Sequence, residues 1–192
     1  LDLDTKNLPS QTLTYTPLYG TSLCYGSSAD MYYRIAVAGN YGGTSTGHGK
    51  GGGLTGGNGT AGSNNTNSGQ GYGGSGGTQT AGGAGGEYKK NVSTATGVNG
   101  TSGAFGRNPK LKTTTSGVDI NDYAMAGWYS GGTGGYVYKS TYTSTGNDGG
   151  GSCFIIGQST GIYPSGYMGD NSTLISTLES SVSNYLWTQA GL

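Results

Sequence analysis

The 192-residue chain has few side chains suited to catalysis, and His48 is its only histidine. A single imidazole excludes metal sites that need several histidine ligands. No serine or aspartate can be matched to His48 as a catalytic triad from the sequence. We therefore interpret His48 as a solvated loop side chain.

The sequence around His48 formally fits a nucleotide-binding pattern. Gly47-His-Gly-Lys-Gly-Gly52 matches GxGxxG, but 43 glycines in 192 residues make such a match expected by chance. No amphipathic helix follows to bind a pyrophosphate. A phosphate-binding loop of the Walker type is excluded because Thr44 replaces its first glycine and Gly51 its serine or threonine.

Carboxylates are equally sparse. They are Asp2, Asp4, Asp30, Glu87, Asp119, Asp122, Asp148, Asp170 and Glu179. Asp119 and Asp122 could ligate calcium in a loop, but the spacing is not that of an EF-hand. Nothing selects a pair of carboxylates for glycoside hydrolysis. The sequence therefore predicts a protein without catalytic residues, metal or cofactor.

Two cysteines and five sequons are the remaining candidates for covalent chemistry. Cys24 and Cys153 could form one disulfide outside the cell, or stay as two small buried side chains in a reducing compartment. They lie in no CxxC motif, which argues against zinc. The Asn-x-Ser/Thr sequons make five asparagines candidates for glycosylation: Asn58, Asn64, Asn91, Asn99 and Asn171.

The composition excludes several classes of partner. Net charge is zero and only 9% of residues are charged. The basic clusters, Lys89-Lys90 and residues 107–112, are too small for a nucleic-acid surface. No apolar run approaches the ~18 residues of a membrane span. The first residues are not a signal peptide, and we expect a mature or trimmed chain.

Strands and one helix are predicted at the two ends of the chain. Leu13 and Tyr15 alternate with threonines in residues 11–17, and residues 31–38 form a β-branched and aromatic run. Residues 118–120, 137–143 and 153–156 have strand propensity. At the C-terminus, four residues at helical spacing predict one amphipathic helix: Leu174, Leu178, Val182 and Tyr185. Asp170, Asn171 or Ser172 could cap it, and Gly191 could end it.

Residues 39–106 are rich in glycine, but the 16 tyrosines and 2 tryptophans of the chain argue against a disordered linker. Ordered glycine requires an architecture in which side chains must be absent. One alternative is a layered bundle of extended glycine helices with three residues per turn. The other is a set of long ordered loops on a β framework. The glycines are not strictly periodic at three, which excludes collagen.

Five blocks in order carry a resemblance to a known family. They are Arg34-Ile-Ala-Val-Ala-Gly39, Gly76-Gly-Thr-Gln-Thr-Ala-Gly-Gly83, Gly103-Ala-Phe-Gly106, Gly127-Trp-Tyr-Ser-Gly-Gly132 and Gly149-Gly-Gly-Ser-Cys-Phe-Ile155. Residues 31–157 thus resemble the later half of the glycine-rich protein domain of bacterial and protist surface proteins. The same domain occurs in the ectodomains of the anaplastic lymphoma and leukocyte tyrosine kinase receptors. Ala81, Cys153 and the C-terminal helix depart from its pattern.

The resemblance implies a mainly β fold, a β-sandwich of the tumour-necrosis-factor type from which polyglycine-II helices emerge and pack in a layer. It also implies an extracellular or cell-surface location and a role in binding or architecture. We expect one domain over residues 1–192, comprising N-terminal strands (1–38), a glycine-rich layer (39–106), a glycine-aromatic block (107–157) and a helix (170–190).

The predicted function is a non-enzymatic structural or adhesive surface module, a self-assembling filament subunit that binds copies of itself. Two alternatives remain open. One is an adhesin such as a phage tail-fibre tip that binds glycans or cell-surface proteins, and the other is a ligand-binding fragment of a receptor ectodomain. Trp128, Tyr129 and Tyr136 are the candidate surface-binding residues.

Overall fold

The computed structural model describes residues 13–16, 21–26, 30–43, 46–106, 111–115, 118–122, 127–158 and 163–190. Over these residues the protein is mainly β, with small antiparallel sheets and one C-terminal helix. The strands are β1 (Leu13–Thr16), β2 (Thr21–Tyr25), β3 (Arg34–Ala38), β4 (Gly69–Gly71), β5 (Tyr88–Lys90), β6 (Thr96–Val98), β7 (Leu111–Thr115), β8 (Val118–Asp122), β9 (Tyr136–Lys139), β10 (Tyr142–Thr145) and β11 (Phe154–Ile155). The helix is α1 (Ser172–Ala190).

The largest sheet has four strands in the order β1-β2-β3-β11. Ile35 and Val37 alternate along β3, so both side chains reach one face, where they are buried. Residues 31–38 were predicted to form one strand, but the strand begins at Arg34. Met31–Tyr33 form a 3-10 turn instead, because the Asp30 carboxylate accepts a hydrogen bond of 2.9 Å from the Tyr32 amide.

The other sheets are smaller: one of three strands in the order β10-β9-β6, and the pairs β4-β5 and β7-β8. Ser140 and Thr141 join β9 to β10 in a two-residue turn, in which Ser140 has a positive φ of 55°. The predicted strand at 118–120 is confirmed as part of β8, whereas residues 137–143 do not form one strand, because the turn at Ser140 and Thr141 divides them between β9 and β10. The β-sandwich is not established by sheets this small and stays a prediction.

Between the sheets, eight glycine-rich segments are hydrogen-bonded to one another, and we call them the glycine layer. They are residues 40–43, 47–52, 56–62, 71–77, 82–87, 99–104, 130–135 and 146–151. Their bonds recur every third residue. The amides of Gly56, Gly59 and Gly62 donate to the carbonyls of Gly77, Gly74 and Gly71 at 2.8–2.9 Å. The backbone groups of one segment therefore find their partners in its neighbours rather than within the segment itself.

Sterics explain why glycine is required in this layer. A Cβ on Gly82 would lie 2.0 Å from the carbonyl of Gly103, and one on Gly85 would lie 2.1 Å from the Gly100 oxygen. Both distances are too short for any real Cβ contact. Among the glycines of the eight segments, only Gly52 has a φ in the left-handed region. The layer therefore selects glycine for the absence of a side chain and not for its conformational freedom.

Helix α1 packs against the apolar core through one face. The Asn171 side chain caps it by accepting a hydrogen bond of 3.0 Å from the Leu174 amide. Leu178 and Val182 are buried in the core, and Leu174 packs against it. The prediction of an amphipathic helix is confirmed. The side chain of Tyr185 and residue Gly191 lie outside the described part of the chain.

The core itself is built from apolar side chains of the four-stranded sheet, the helix and the segments between them. Its buried members are Leu23, Ile35, Val37, Trp128, Phe154, Ile156, Tyr167, Met168, Leu178 and Val182. None of the buried members belongs to a segment of the glycine layer, and Trp128 lies two residues before the segment at 130–135. Apolar burial and backbone pairing therefore stabilise two different parts of the fold.

Replacing Gly85 with Val is expected to lower the free energy of unfolding by about 3 kcal/mol or more, because its Cβ would overlap the Gly100 carbonyl. Ala84→Val is the matched control. Ala84 is exposed in the same segment, and its replacement should change stability by less than about 0.5 kcal/mol. Urea denaturation measures both. Equal midpoints for the two variants would contradict a packed layer.

Candidate functional site

The most distinctive side-chain arrangement surrounds Arg34, and we define the Arg34 cluster as Arg34, Tyr32, Phe105, Trp128 and Tyr129. Arg34 stands at the start of β3 and is fully buried. Its guanidinium donates hydrogen bonds to three backbone carbonyls: Met31 at 2.9 Å, Gly127 at 2.6 Å and Trp128 at 3.2 Å. The side chain thus ties the sheet to the segment that leads into the glycine layer.

Aromatic rings enclose the guanidinium on its remaining sides. Its central carbon lies 4.8 Å from the centre of the Phe105 ring and 5.2 Å from that of Trp128. These distances are within the range of cation–π attraction. Phe105 meets Trp128 edge to face, and Trp128 stacks on Phe154 with ring centres 3.6 Å apart. The cluster is continuous with the apolar core.

Burial determines the electrostatics of the cluster. It lowers the pKa of Arg34 to about 10, so the guanidinium stays charged at neutral pH. Among the described residues no carboxylate forms an ion pair with it, and carbonyl oxygens and ring faces stabilise the charge instead. A buried cation satisfied in this way acts as a structural tie between β3 and the segment of Gly127 and Trp128.

Two of the three predicted surface-binding residues are wrong. Trp128 is 1% exposed and its indole N–H donates to the Gln79 carbonyl at 3.0 Å, while Tyr136 is 7% exposed. Tyr129 is half-buried in the Arg34 cluster. The Trp-Tyr block lies inside because its rings fill the space between sheet and layer. The tyrosines that reach solvent were not singled out from the sequence: Tyr32, Tyr41, Tyr72 and Tyr142, exposed by 37–46%.

Of the two states that the sequence leaves open for Cys24 and Cys153, the structure has the one without a disulfide, since both thiols are free. Cys24 pairs with Arg34 on β3, whereas Phe154, beside Cys153, pairs with Val37 on the opposite side of β3. These pairs are three residues apart along β3, about 10 Å, and the cysteines are two strand spacings apart across the sheet. A disulfide needs Cα atoms within about 7 Å, so the sheet itself separates the two cysteines.

The asparagines of the five sequons are all exposed, but their side chains differ in their hydrogen bonds. The Asn91 amide nitrogen, the atom that would carry a glycan, donates to the Asn64 side chain at 2.7 Å and to the Asn65 carbonyl at 2.9 Å. Asn171 uses only its oxygen, as the helix cap. Glycosylation of all five stays a prediction, with Asn91 the one whose nitrogen is engaged.

His48 lies at the layer and not in a solvated loop, which corrects the interpretation from sequence. Its Nδ1 accepts a hydrogen bond of 3.1 Å from the Asp148 amide, and its ring occupies the place of a Cβ on Gly43. Asp148 is buried and accepts a bond of 2.8 Å from the Gly134 amide. Both side chains therefore satisfy backbone groups of the layer.

The described residues contain no group of three or more His, Cys, Asp or Glu side chains placed to hold a metal ion. Asp119 and Asp122 lie on β8, and their side chains fall outside what the structure describes. Within the described chain, no helix has the length and apolar character needed to cross a membrane.

A three-residue pattern in the sequence marks the layer and was missed. Three segments have the form x-Gly-Gly-x-Gly-Gly-x: residues 72–78, 81–87 and 130–136. In the second of them Ala81, Ala84 and Glu87 are exposed, whereas Gly83 and Gly86 are buried. The non-glycine residues thus share one side of the segment. This local period could have been found from sequence, although the glycine-rich region as a whole is not periodic.

Comparisons of the chain with protein-family models, with curated proteins and with solved structures found no match in any of the three.

The buried tyrosines predict a destabilisation at high pH. Burial, and then the neighbouring Tyr163, raise the pKa of Tyr167 above its usual value. Above pH 10 the unfolded chain loses this proton while the folded chain keeps it, so the contribution of Tyr167 to stability falls as pH rises. Arg34 contributes with the opposite sign because its pKa is lowered on folding. A comparison of variants is therefore needed to separate the contribution of Tyr167 from that of Arg34.

Tyr167→Phe should make the free energy of unfolding fall less steeply between pH 10 and 11, by up to about 1.4 kcal/mol per pH unit. Below pH 9 this variant should be less stable by about 1 kcal/mol, because the hydroxyl donates to the Arg34 carbonyl at 2.8 Å. Tyr142→Phe, at an exposed position, is the control. If the free energy of unfolding of Tyr167→Phe fell with pH as steeply as that of the unsubstituted protein, Tyr167 would not be the group with the raised pKa.

Thiol labelling tests whether Cys24 and Cys153 are both free in the folded protein. Burial raises the pKa of the Cys24 thiol, so a maleimide should reach Cys24 only after unfolding, whereas half-buried Cys153 should react in the native protein. Mass spectrometry without reductant should find one label in buffer and two in denaturant. Cys153→Ser should abolish the native label, and a protein that takes up no label in denaturant would restore the disulfide.

Proposed function

We propose that the protein is a non-enzymatic structural and adhesive module of an extracellular or cell-surface assembly, a subunit of a self-assembling filament. The observation that carries the proposal is the glycine layer. Its segments are joined by backbone hydrogen bonds at every third residue, and the close approach of neighbouring backbones excludes a side chain at the glycine positions. Such an interior serves mechanical cohesion, because each segment is bonded to its neighbours along its length.

We also propose the finer architecture behind this function. The segments of the layer are polyglycine-II helices, since a bonded group every third residue is the repeat of that helix. Segments run in both directions within the layer. Gly74 and Gly77 donate to Asn147 and Gly150 in parallel order, whereas Gly132 and Gly135 pair with the segment of Tyr72 in antiparallel order. The sheets flanking it are the reduced faces of the sandwich that the family resemblance implies.

The layer supports resistance to proteolysis and harsh solution conditions. Proteases bind extended chain segments through backbone groups, and here those groups are paired with neighbouring segments. The chain also has only nine basic and nine acidic residues, so salt and moderate changes of pH act on few interactions.

The outer face of α1 supports self-association. Thr173, Ser176, Thr177 and Ser180 are exposed there, and the last three donate their hydroxyls to carbonyls of the preceding turn. The only charge on the helix is Glu179, which accepts a hydrogen bond from Tyr163. A face of small, internally satisfied and uncharged side chains allows the backbone of another subunit to approach closely.

A receptor-binding adhesin is the second candidate, and the exposed tyrosines favour it. Tyr72 stands on a glycine segment with 39% of its surface exposed, and Tyr142 stands on β10 with 46% exposed. Aromatic side chains presented by a rigid scaffold supply contact area at a low entropic cost. Loss of glycan or cell binding in Tyr72→Ala, with assembly unchanged, would favour this function over the filament.

Electron microscopy of the purified protein at increasing concentration tests the filament. We expect uniform fibres, and Ser180→Glu should raise the concentration needed for assembly by about tenfold, the effect of roughly 1.4 kcal/mol at each contact. Thr143→Glu places the same charge on exposed β10 and is the matched control. A protein that stays strictly monomeric at high concentration would exclude the filament.

A further inference from the structure

The chain contains the same reactive triplet twice, and the two copies differ in the hydrogen bonds that their side chains make. Asn58-Gly59-Thr60 and Asn99-Gly100-Thr101 are both Asn-Gly-Thr. In an Asn-Gly sequence the glycine nitrogen can attack the asparagine side-chain carbon. The new C–N bond closes a succinimide ring as the C–NH₂ bond breaks and ammonia leaves. Water then opens the ring to aspartate or isoaspartate, and no oxidant or other reactant is consumed.

At the first copy both reacting groups are held. The Asn58 side-chain oxygen accepts a hydrogen bond of 2.9 Å from the Gly76 amide, which anchors the carbon to be attacked. The Gly59 amide, the nucleophile, donates to the Gly74 carbonyl at 2.9 Å. Ring closure must break both bonds and rotate the Asn58 side chain away from the layer.

At the second copy only the nucleophile is held. The Gly100 amide donates to the Gly86 carbonyl at 2.8 Å, as in the first copy. Asn99 is exposed, directly after β6 ends at Val98. In the described structure its side chain makes no hydrogen bond, so it is free to turn toward the Gly100 nitrogen.

We propose that Asn99 is a site of spontaneous deamidation in the folded protein, and that the layer protects Asn58 from the same reaction. The product adds a negative charge to a chain of zero net charge. Where isoaspartate forms, one extra backbone methylene enters just before Gly100. That addition displaces the amides of Gly100 and Gly103 from the Gly86 and Gly83 carbonyls, the three-residue spacing on which the layer depends.

The test uses the full chain, produced without N-linked glycans and incubated at pH 8 in buffer or in concentrated urea. Peptide mass spectrometry follows the one-mass-unit gain at both asparagines over time. In buffer Asn99 should react about tenfold faster than Asn58, the factor that one additional hydrogen bond supplies. In urea the two rates should converge to within about threefold, because only the preceding residue, Gly57 or Val98, then differs.

Asn99→Gln is the control, since glutamine closes the larger ring far more slowly. It should remove the main acidic species that forms in buffer, as resolved by charge-based chromatography, and leave reaction at Asn58 in urea unchanged. Reaction in buffer at Asn58 as fast as at Asn99 would overturn the proposal. The same acidic species appearing at an unchanged rate in Asn99→Gln would overturn it too.

Discussion

At most positions of the glycine layer, the place that a Cβ would occupy is taken by the carbonyl group of a neighbouring segment. A Cβ on Gly86 would lie 2.0 Å from the Tyr72 oxygen, and one on Gly146 would lie 1.9 Å from the same atom. With a Cα–Cβ bond of about 1.5 Å, each Cα stands no more than about 3.5 Å from that oxygen, the distance of a weak Cα–H···O contact. Glycine carries a high entropic cost, and dense backbone pairing offsets it here.

The close approach of the backbones restricts where side-chain interactions can form. Because the glycine positions leave no room for a side chain, the apolar core forms outside the layer, around the sheet of β3, α1 and the rings between them. Tyr136 and Val137 on β9 are buried as well. Polar side chains in the layer serve its backbone: Thr133 accepts from the Thr101 amide at 2.7 Å, and Asp148 from the Gly134 amide at 2.8 Å. Arg34 joins the two regions by binding carbonyls just before the segment at 130–135.

The sequence predicted the elements with side-chain patterns better than the arrangement around them. The strand ending at Ala38, the strand at 118–120 and the α1 face of Leu178 and Val182 follow from periodicity, and the structure has them. The burial of Trp128 and the separation of Cys24 from Cys153 could not be predicted, because both depend on contacts between distant parts of the chain. Sequence periodicity describes one segment and not its neighbours.

The position of residues 146–151 within the layer has a consequence for how the chain folds. This one segment exchanges hydrogen bonds with five others, at residues 40–43, 47–52, 56–62, 71–77 and 130–135. Its partners precede it by as much as about a hundred residues, so many loops must close before its bonds form. The five earlier segments cannot complete their pairing until residues 146–151 are in place. Pairing across such a separation forms slowly, so these bonds complete the layer after the contacts between nearer segments.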